Sequence, residues 1–222
     1  MSLPPDHPRL HRRPFSQGEL VADGMIHAVA ILAAIVGLAV LMVLVVMKRG
    51  GLELSAVAVY GLGLLSMFGF SAAYNMVPPS SLKWLLRRFD HSSIYLMIAG
   101  TYTPLLTLVS DTFWAVTLAL VVWVGAIAGI VLKVALPGRF DRLSVGIYLL
   151  LGWVAVAAIK PLVSSLPPLT MILLAIGGGL YTAGVAFYVW KNLKFNNAIW
   201  HGFVTVAAAC HYAAITHAMT AA

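Results

Sequence analysis

The chain has 222 residues, of which 61% are hydrophobic and 9% charged, with a mean hydropathy of +0.95 and a formal net charge of +7. A water-soluble domain keeps about 25% of its residues charged to maintain a wet surface; a chain with so few charges must turn an apolar surface outward, which excludes a soluble globular domain and points to lipid. The basic excess does not indicate nucleic acid, because the Lys and Arg residues sit in short connectors between apolar runs and form no basic face interleaved with aromatics; they are topology signals facing anionic headgroups.

Residues 1–22 are polar and broken by Pro4, Pro5, Pro8 and Pro14, with Arg9, Arg12 and Arg13 among them, and read as an irregular tail before an uncleaved first span. A hydrocarbon core about 30 Å thick needs about 20 apolar residues per helix. Seven stretches meet or approach that length: 24–47, 54–77, 91–109, 113–136, 143–163, 169–190 and 198–220. The runs are continuous rather than alternating, so the expected fold is an all-α membrane domain of seven helices and not a β-barrel. Breakers fall in the connectors, as in Gly50-Gly51, Pro78-Pro79, Pro137-Gly138 and Pro167-Pro168.

Loop charge sets the orientation. The tail and the connectors after spans two, four and six hold Arg9, Arg12, Arg13, Lys83, Arg87, Arg88, Lys133, Arg139, Arg142, Lys191 and Lys194; the other side holds Lys48 and Arg49, with Lys160 near its edge. The positive-inside rule then places the N-terminus of this multi-pass membrane protein in the cytoplasm and its C-terminus outside.

Polar groups inside spans are costly and usually face the bundle interior. Ser71 and Asn75, four apart on one helical face, fall in the last cytoplasmic turns of span two; Asp90 and His91 open span three; Asn197 and His201, again four apart, open span seven; His27 lies near the inner end of span one. Singly, each is explained by capping or by the headgroup layer, and Asp90 suits a helix N-terminus. As a set, four spans with polar side chains at one depth mark an interior polar site. Lys160 and His217 are explained by snorkelling toward the outer surface. The Gly177-Gly178-Gly179 run implies close helix packing rather than phosphate binding, and the lone Cys210 cannot form an internal disulfide.

The segment from Phe70 to Asn75 (FSAAYN), the block from Leu86 to Pro104 (LRRFDHSSIYLMIAGTYTP), Asn197 to His201 (NAIWH), Cys210-His211-Tyr212, and Glu19 with His27 together resemble the hemolysin III family, the bacterial branch of the progestin and adipoQ receptor group, distantly similar to alkaline ceramidases. The resemblance runs from about Glu19 to the end of the chain. It implies a seven-helix fold with a zinc ion near the cytoplasmic face, held by a histidine late in span two and two histidines four apart early in span seven, with a serine and an aspartate nearby that match Ser71 and Asp90. It also implies a lipid partner, bound or hydrolysed.

Mapped onto this sequence, the family's ligand positions are Asn75, Asn197 and His201. Only the last keeps the histidine. An amide oxygen is a weak zinc donor that better suits hard cations, so the sequence favours a site without tightly held zinc. Two functions follow. The first is a non-enzymatic lipid- or ligand-sensing or membrane-integrity protein, which needs only a buried polar pocket. The alternative is a zinc-dependent membrane hydrolase of a lipid amide or ester, with Ser71, Asp90 and His201 as the candidate catalytic residues. The discriminating observation is whether Ser71, Asn75, Asp90 and His201 converge on a cavity with access to lipid and water, since a packed, dry cluster favours a structural role; the oligomeric state has no sequence signal.

Overall fold

The computed structural model describes residues 15–221; the arginines of the expected tail, Arg9, Arg12 and Arg13, lie outside the described residues. Every regular element among the described residues is helical: α1 (Gln17–Lys48), α2 (Gly51–Met76), α3 (Ser81–Leu106), α4 (Thr112–Ala135), α5 (Asp141–Trp153), a 3-10 turn (Val154–Ala158), α6 (Ile159–Ser165), α7 (Pro168–Val189) and α8 (Asn196–Thr220). Among the described residues, six segments are long and apolar enough to cross a bilayer: α1, α2, α4, α7, α8, and the α5–α6 unit over Leu143–Ser165. Side chains such as Val29, Leu32, Val36, Val40 and Val43 on α1, and Leu120, Val124 and Val131 on α4, stand exposed in long rows. A soluble protein does not leave such rows bare, and they form the lipid-facing surface.

The first helix begins at Gln17, inside the stretch read as irregular tail. Ser16 and Glu19 form a capping box there: Ser16 Oγ accepts from the Glu19 N–H at 3.3 Å, and the Ser16 N–H donates to Glu19 Oε2 at 2.9 Å. This early start puts Glu19, Asp23 and His27 on one helical stripe, all buried.

The third helix is the one that is not apolar enough to count as a span by composition. It starts at Ser81 rather than near 91, capped by Ser80, whose Oγ accepts from the Lys83 N–H at 3.2 Å. Asp90 and His91 therefore lie more than two turns inside the helix, and Asp90 is not its N-cap. The helix tolerates these groups because α2 and α4 pack along it and α5 and α8 touch it; enclosed by protein, it need not match lipid. Close approach to α2 rests on Gly63 and Gly100, where an added Cβ would come within 3.1 Å and 3.2 Å of the facing backbone. At one end, Arg87 on α3 and Lys133 on α4 both reach Asp141 at the start of α5, at 2.6 Å and 2.9 Å.

The expected span 143–163 is broken. Pro161 has no N–H to continue an α-helical ladder and its ring crowds the preceding turn, and the chain runs as a 3-10 turn over Val154–Ala158 before resuming as α6. In α7, Gly177 packs against the His211 ring and Gly178 against Trp153, as expected of close packing, while Gly179 faces open space.

Candidate functional site

α1, α2 and α8 carry the polar cluster. Ser71 is its hub, because two histidine rings from two other helices reach its hydroxyl. His27 Nε2 lies 3.1 Å from Ser71 Oγ and His201 Nε2 lies 3.3 Å from it. The two rings meet edge to face with centroids 4.4 Å apart.

Each ring is held by its other nitrogen. His27 Nδ1 lies 2.8 Å from the Asp23 backbone carbonyl one turn earlier, and His201 Nδ1 lies 2.5 Å from Asp23 Oδ1. A carbonyl oxygen can only accept, so the His27 proton sits on Nδ1; the carboxylate places the His201 proton on Nδ1 likewise. Both Nε2 lone pairs then face one hydroxyl, which has a single proton to give. Asp23 is 3% exposed and His27 also 3%, so this network replaces water for groups that could not otherwise be buried.

Asn75 and Asn197 adjoin the hub but are bonded to each other. Asn75 Nδ2 donates to the Ser71 carbonyl at 2.8 Å and reaches Ser71 Oγ at 3.4 Å. That contact fixes the amide's orientation, since only its nitrogen can donate to a carbonyl, and it turns Oδ1 toward Asn197 Nδ2 at 3.2 Å. Asp90 lines the same cavity from α3, its carboxylate 3.9 Å from His91 Nε2. Glu19 Oε1, one turn before Asp23, accepts the Phe195 N–H at 2.8 Å and ties the start of α8 to α1.

Ser71, Asn75, Asp90 and His201 all border one cavity of about 180 Å³, with Asn197 and His27 beside them. The rest of its wall is chiefly apolar and aromatic, and runs from this polar end to Trp153 and Gly178, between α5 and α7. Tyr181 also lines it, with a buried hydroxyl that has no partner among the described residues. These side chains thus share one cavity. His217, expected to snorkel, instead shares a hydrogen bond with Thr170 at 3.0 Å.

Sequence reasoning passed over Asp23. Its signal was present as Glu19, Asp23 and His27 at successive intervals of four, the spacing of one buried face, but the stripe straddles the boundary drawn at residue 22.

The family zinc can be tested against these residues. The positions Asn75, Asn197 and His201 do not fit it: the Asn75 amide oxygen is taken by Asn197, and both His201 nitrogens are engaged. A different set does bring ligand-type atoms together. Asp23, His27 and His201 each place one within 4.8 Å of the others, a group that could hold a metal ion. Its present hydrogen bonding is not that of ligands to a shared ion, because Asp23 Oδ1 and His201 Nδ1 are 2.5 Å apart, whereas two ligands of one tetrahedral zinc at about 2.0 Å stand about 3.3 Å from each other. An ion held by both Asp23 Oδ1 and His201 Nδ1 would have to part that pair.

The haemolysin-III related family matches residues 18–212. The chain is 35% identical over 190 residues to the "Hemolysin-3 homolog" of Bacillus subtilis (strain 168), covering 86% of this chain and 89% of that protein. It is 36% identical over 188 residues to "Hemolysin-3" of Bacillus cereus, covering 84% and 85%. It is also 31% identical over 203 residues to the human "Monocyte to macrophage differentiation factor", covering 89% and 83%.

Proposed function

The chain belongs to the haemolysin-III related family of multi-pass membrane proteins, and from that premise we propose that it crosses the cell membrane seven times, N-terminus inside, and binds an amphipathic acyl lipid in its central cavity. The observation that carries the ligand is the cavity's asymmetry. Ser71, His201, Asn75 and Asp90 gather at one end and apolar side chains make up most of the remainder, which matches a molecule with a polar head and a hydrocarbon tail.

Entry from the bilayer is supported by the loose seam between α5 and α7. α7 packs along α8 and barely touches α5, and a side-chain hydrogen bond, Trp153 Nε1 to Thr182 Oγ1 at 3.0 Å, bridges the gap. The unpartnered Tyr181 hydroxyl offers a bond to a polar group of the guest. A zinc-dependent hydrolase has against it the hydrogen bond between the two asparagines that stand at the family's ligand positions.

The seventh crossing is α3. Its 26 residues extend about 39 Å at 1.5 Å per residue, and its charges are confined to the first ten, up to Asp90. Lys83, Arg87, Arg88, Lys133, Lys191 and Lys194 then share one side, with Lys48 and Arg49 opposite.

Two experiments test this reading. A fluorophore-tagged dodecanoyl amide should bind the detergent-purified protein saturably, and Val185→Trp, which fills the cavity wall, should weaken binding by at least about tenfold; absent or unaltered binding overturns the ligand. In a Cys210→Ser background in intact cells, a bilayer-impermeant maleimide should modify Gly51→Cys but not Ser80→Cys; the reverse pattern overturns the orientation.

A further inference from the structure

Three groups in the polar cluster stand in a fixed sequence. Asp23 Oδ1 lies 2.5 Å from His201 Nδ1, and His201 Nε2 lies 3.3 Å from Ser71 Oγ. A carboxylate behind, an imidazole between and a hydroxyl in front is the order required to activate a serine. The carboxylate fixes the tautomer and would stabilise the imidazolium, and the exposed lone pair takes the hydroxyl proton. The three residues come from α1, α8 and α2, so their alignment is a property of the tertiary fold and not of a local turn.

The surroundings agree with that order. Ser71 and His201 border the cavity while Asp23 does not; it is buried behind them at 3% exposure. The Asn75 amide, with Nδ2 at 3.4 Å from Ser71 Oγ, is a neutral donor beside the point where an oxyanion would form. His27 gives Ser71 Oγ a second imidazole acceptor at 3.1 Å. Its Nδ1 is held by a backbone carbonyl at 2.8 Å while the Asp23 carboxylate stands 3.9 Å away, so it lacks the close carboxylate that orients His201.

We propose that Ser71, His201 and Asp23 form a metal-independent acyl-hydrolase triad acting on an ester or amide bond of the lipid held in the cavity. The proposal rests on the ligand reading above. Ser71 Oγ bonds to the acyl carbonyl carbon as its proton passes to His201 Nε2, giving a tetrahedral oxyanion. Collapse breaks the bond from carbon to the leaving oxygen or nitrogen, and His201 returns the proton to that atom, releasing an alcohol or amine and leaving acyl-Ser71. Water then adds to the acyl carbon, gives its proton to His201, and the acyl–Oγ bond breaks as Ser71 recovers a proton and a fatty acid departs. Ser71 and His201 are the catalytic residues; Asp23 acts through His201 and is a positioning residue.

The test is labelling of the full chain in detergent with a dodecyl fluorophosphonate, in the presence of EDTA, read by intact mass and peptide mapping. Phosphonylation forms an Oγ–P bond and expels fluoride, so it reports an activated serine without requiring the natural substrate. One adduct at Ser71 is expected. It should be absent in Ser71→Ala and slowed at least about 100-fold in His201→Ala. Asp23→Asn should slow labelling and change its pH profile while Asp23→Glu restores part of the rate, a rescue that a purely structural carboxylate would not need to show. Thermal melts in detergent confirm that each variant is folded, and the fluorophore-tagged dodecanoyl amide is bound to the unaltered protein alongside. No adduct at Ser71 in a protein that binds the amide, an adduct indifferent to His201, or labelling abolished by EDTA overturns the triad and leaves the ligand reading standing. Loss of both labelling and amide binding in the unaltered protein overturns the two together.

Discussion

The two ends of the helix bundle use their ionisable side chains differently. At the end where α1 and α8 begin, Asp23, His27, Ser71 and His201 bond chiefly through their side chains, and the last three border a cavity. At the end where those helices meet again, Lys48 and Arg49 bond to backbone. Lys48 Nζ donates to the Thr220 carbonyl at 2.9 Å, and Arg49 donates to the carbonyls of Ala218, Met219 and Ala221 at 3.2 Å, 2.9 Å and 2.8 Å. Those carbonyls are the orphans of the α8 C-terminus, and the cations complement its dipole. What separates a structural charge from a functional one in this bundle is its partner. Cations spent on helix-end carbonyls have one stable arrangement, whereas two imidazole lone pairs facing a single hydroxyl leave an acceptor over for a proton, an ion or a substrate.

Substitutions at the two ends should therefore differ in kind. The largest effect is expected at the cavity, where Ser71→Ala should abolish fluorophosphonate labelling and leave the protein folded, the two imidazoles losing their hydroxyl partner at a cost of about 1–2 kcal/mol. A loss of fold instead would make Ser71 a structural hub and erase the contrast.

Next is Asp141, at the cavity end but outside the spans. Burial alone would raise its pKa; Arg87 and Lys133 together hold it down, to about 2. Asp141→Ala should strand Lys133, which is 1% exposed. A stability loss of about 2 kcal/mol is expected, below the figure for a fully buried pair because Asp141 itself is partly exposed to solvent. The measurement is the denaturation midpoint in detergent. A folded pKa below the unfolded value means that this contribution is present above pH about 4 and lost as pH falls toward 2. Thermal melts at pH 5 and pH 2.5 should show the loss in the unaltered protein and a smaller one in Asp141→Ala.

The smallest effect belongs to the opposite end. Arg49→Ala should cost about 1 kcal/mol, appear as faster hydrogen exchange at the C-terminal end of α8, and leave the Ser71 labelling rate within about twofold. A large drop in labelling would mean that the two ends are coupled.

Much of this was legible in the sequence. The apolar runs of α1, α2, α4, α7 and α8 and the depth at which Ser71, Asn75, Asn197 and His201 lie follow from hydropathy and helical spacing. The start of α3 was not, because hydropathy assumes lipid around a helix and α3 is enclosed by protein. The break in the expected span 143–163 had its cause in plain view at Pro161, but hydropathy does not register a missing N–H. Asp23 was missed because a boundary set by composition cut the stripe from Glu19 to His27, which a capping box at Ser16 carries into the helix. The asparagine pair was read as a weakened ligand set; their mutual hydrogen bond, which no spacing rule reveals, makes them partners of each other.

The central claim is that His201 faces a serine and not a zinc ion, and metal analysis of protein purified in mild detergent without chelator tests it most directly. Zinc is expected well below one equivalent, roughly a tenth or less per chain, with fluorophosphonate labelling of Ser71 intact. About one zinc per chain, lost together in His27→Ala and His201→Ala, would contradict it: the ion would then occupy the position of the shared proton, and Asp23 would be supporting a metal ligand.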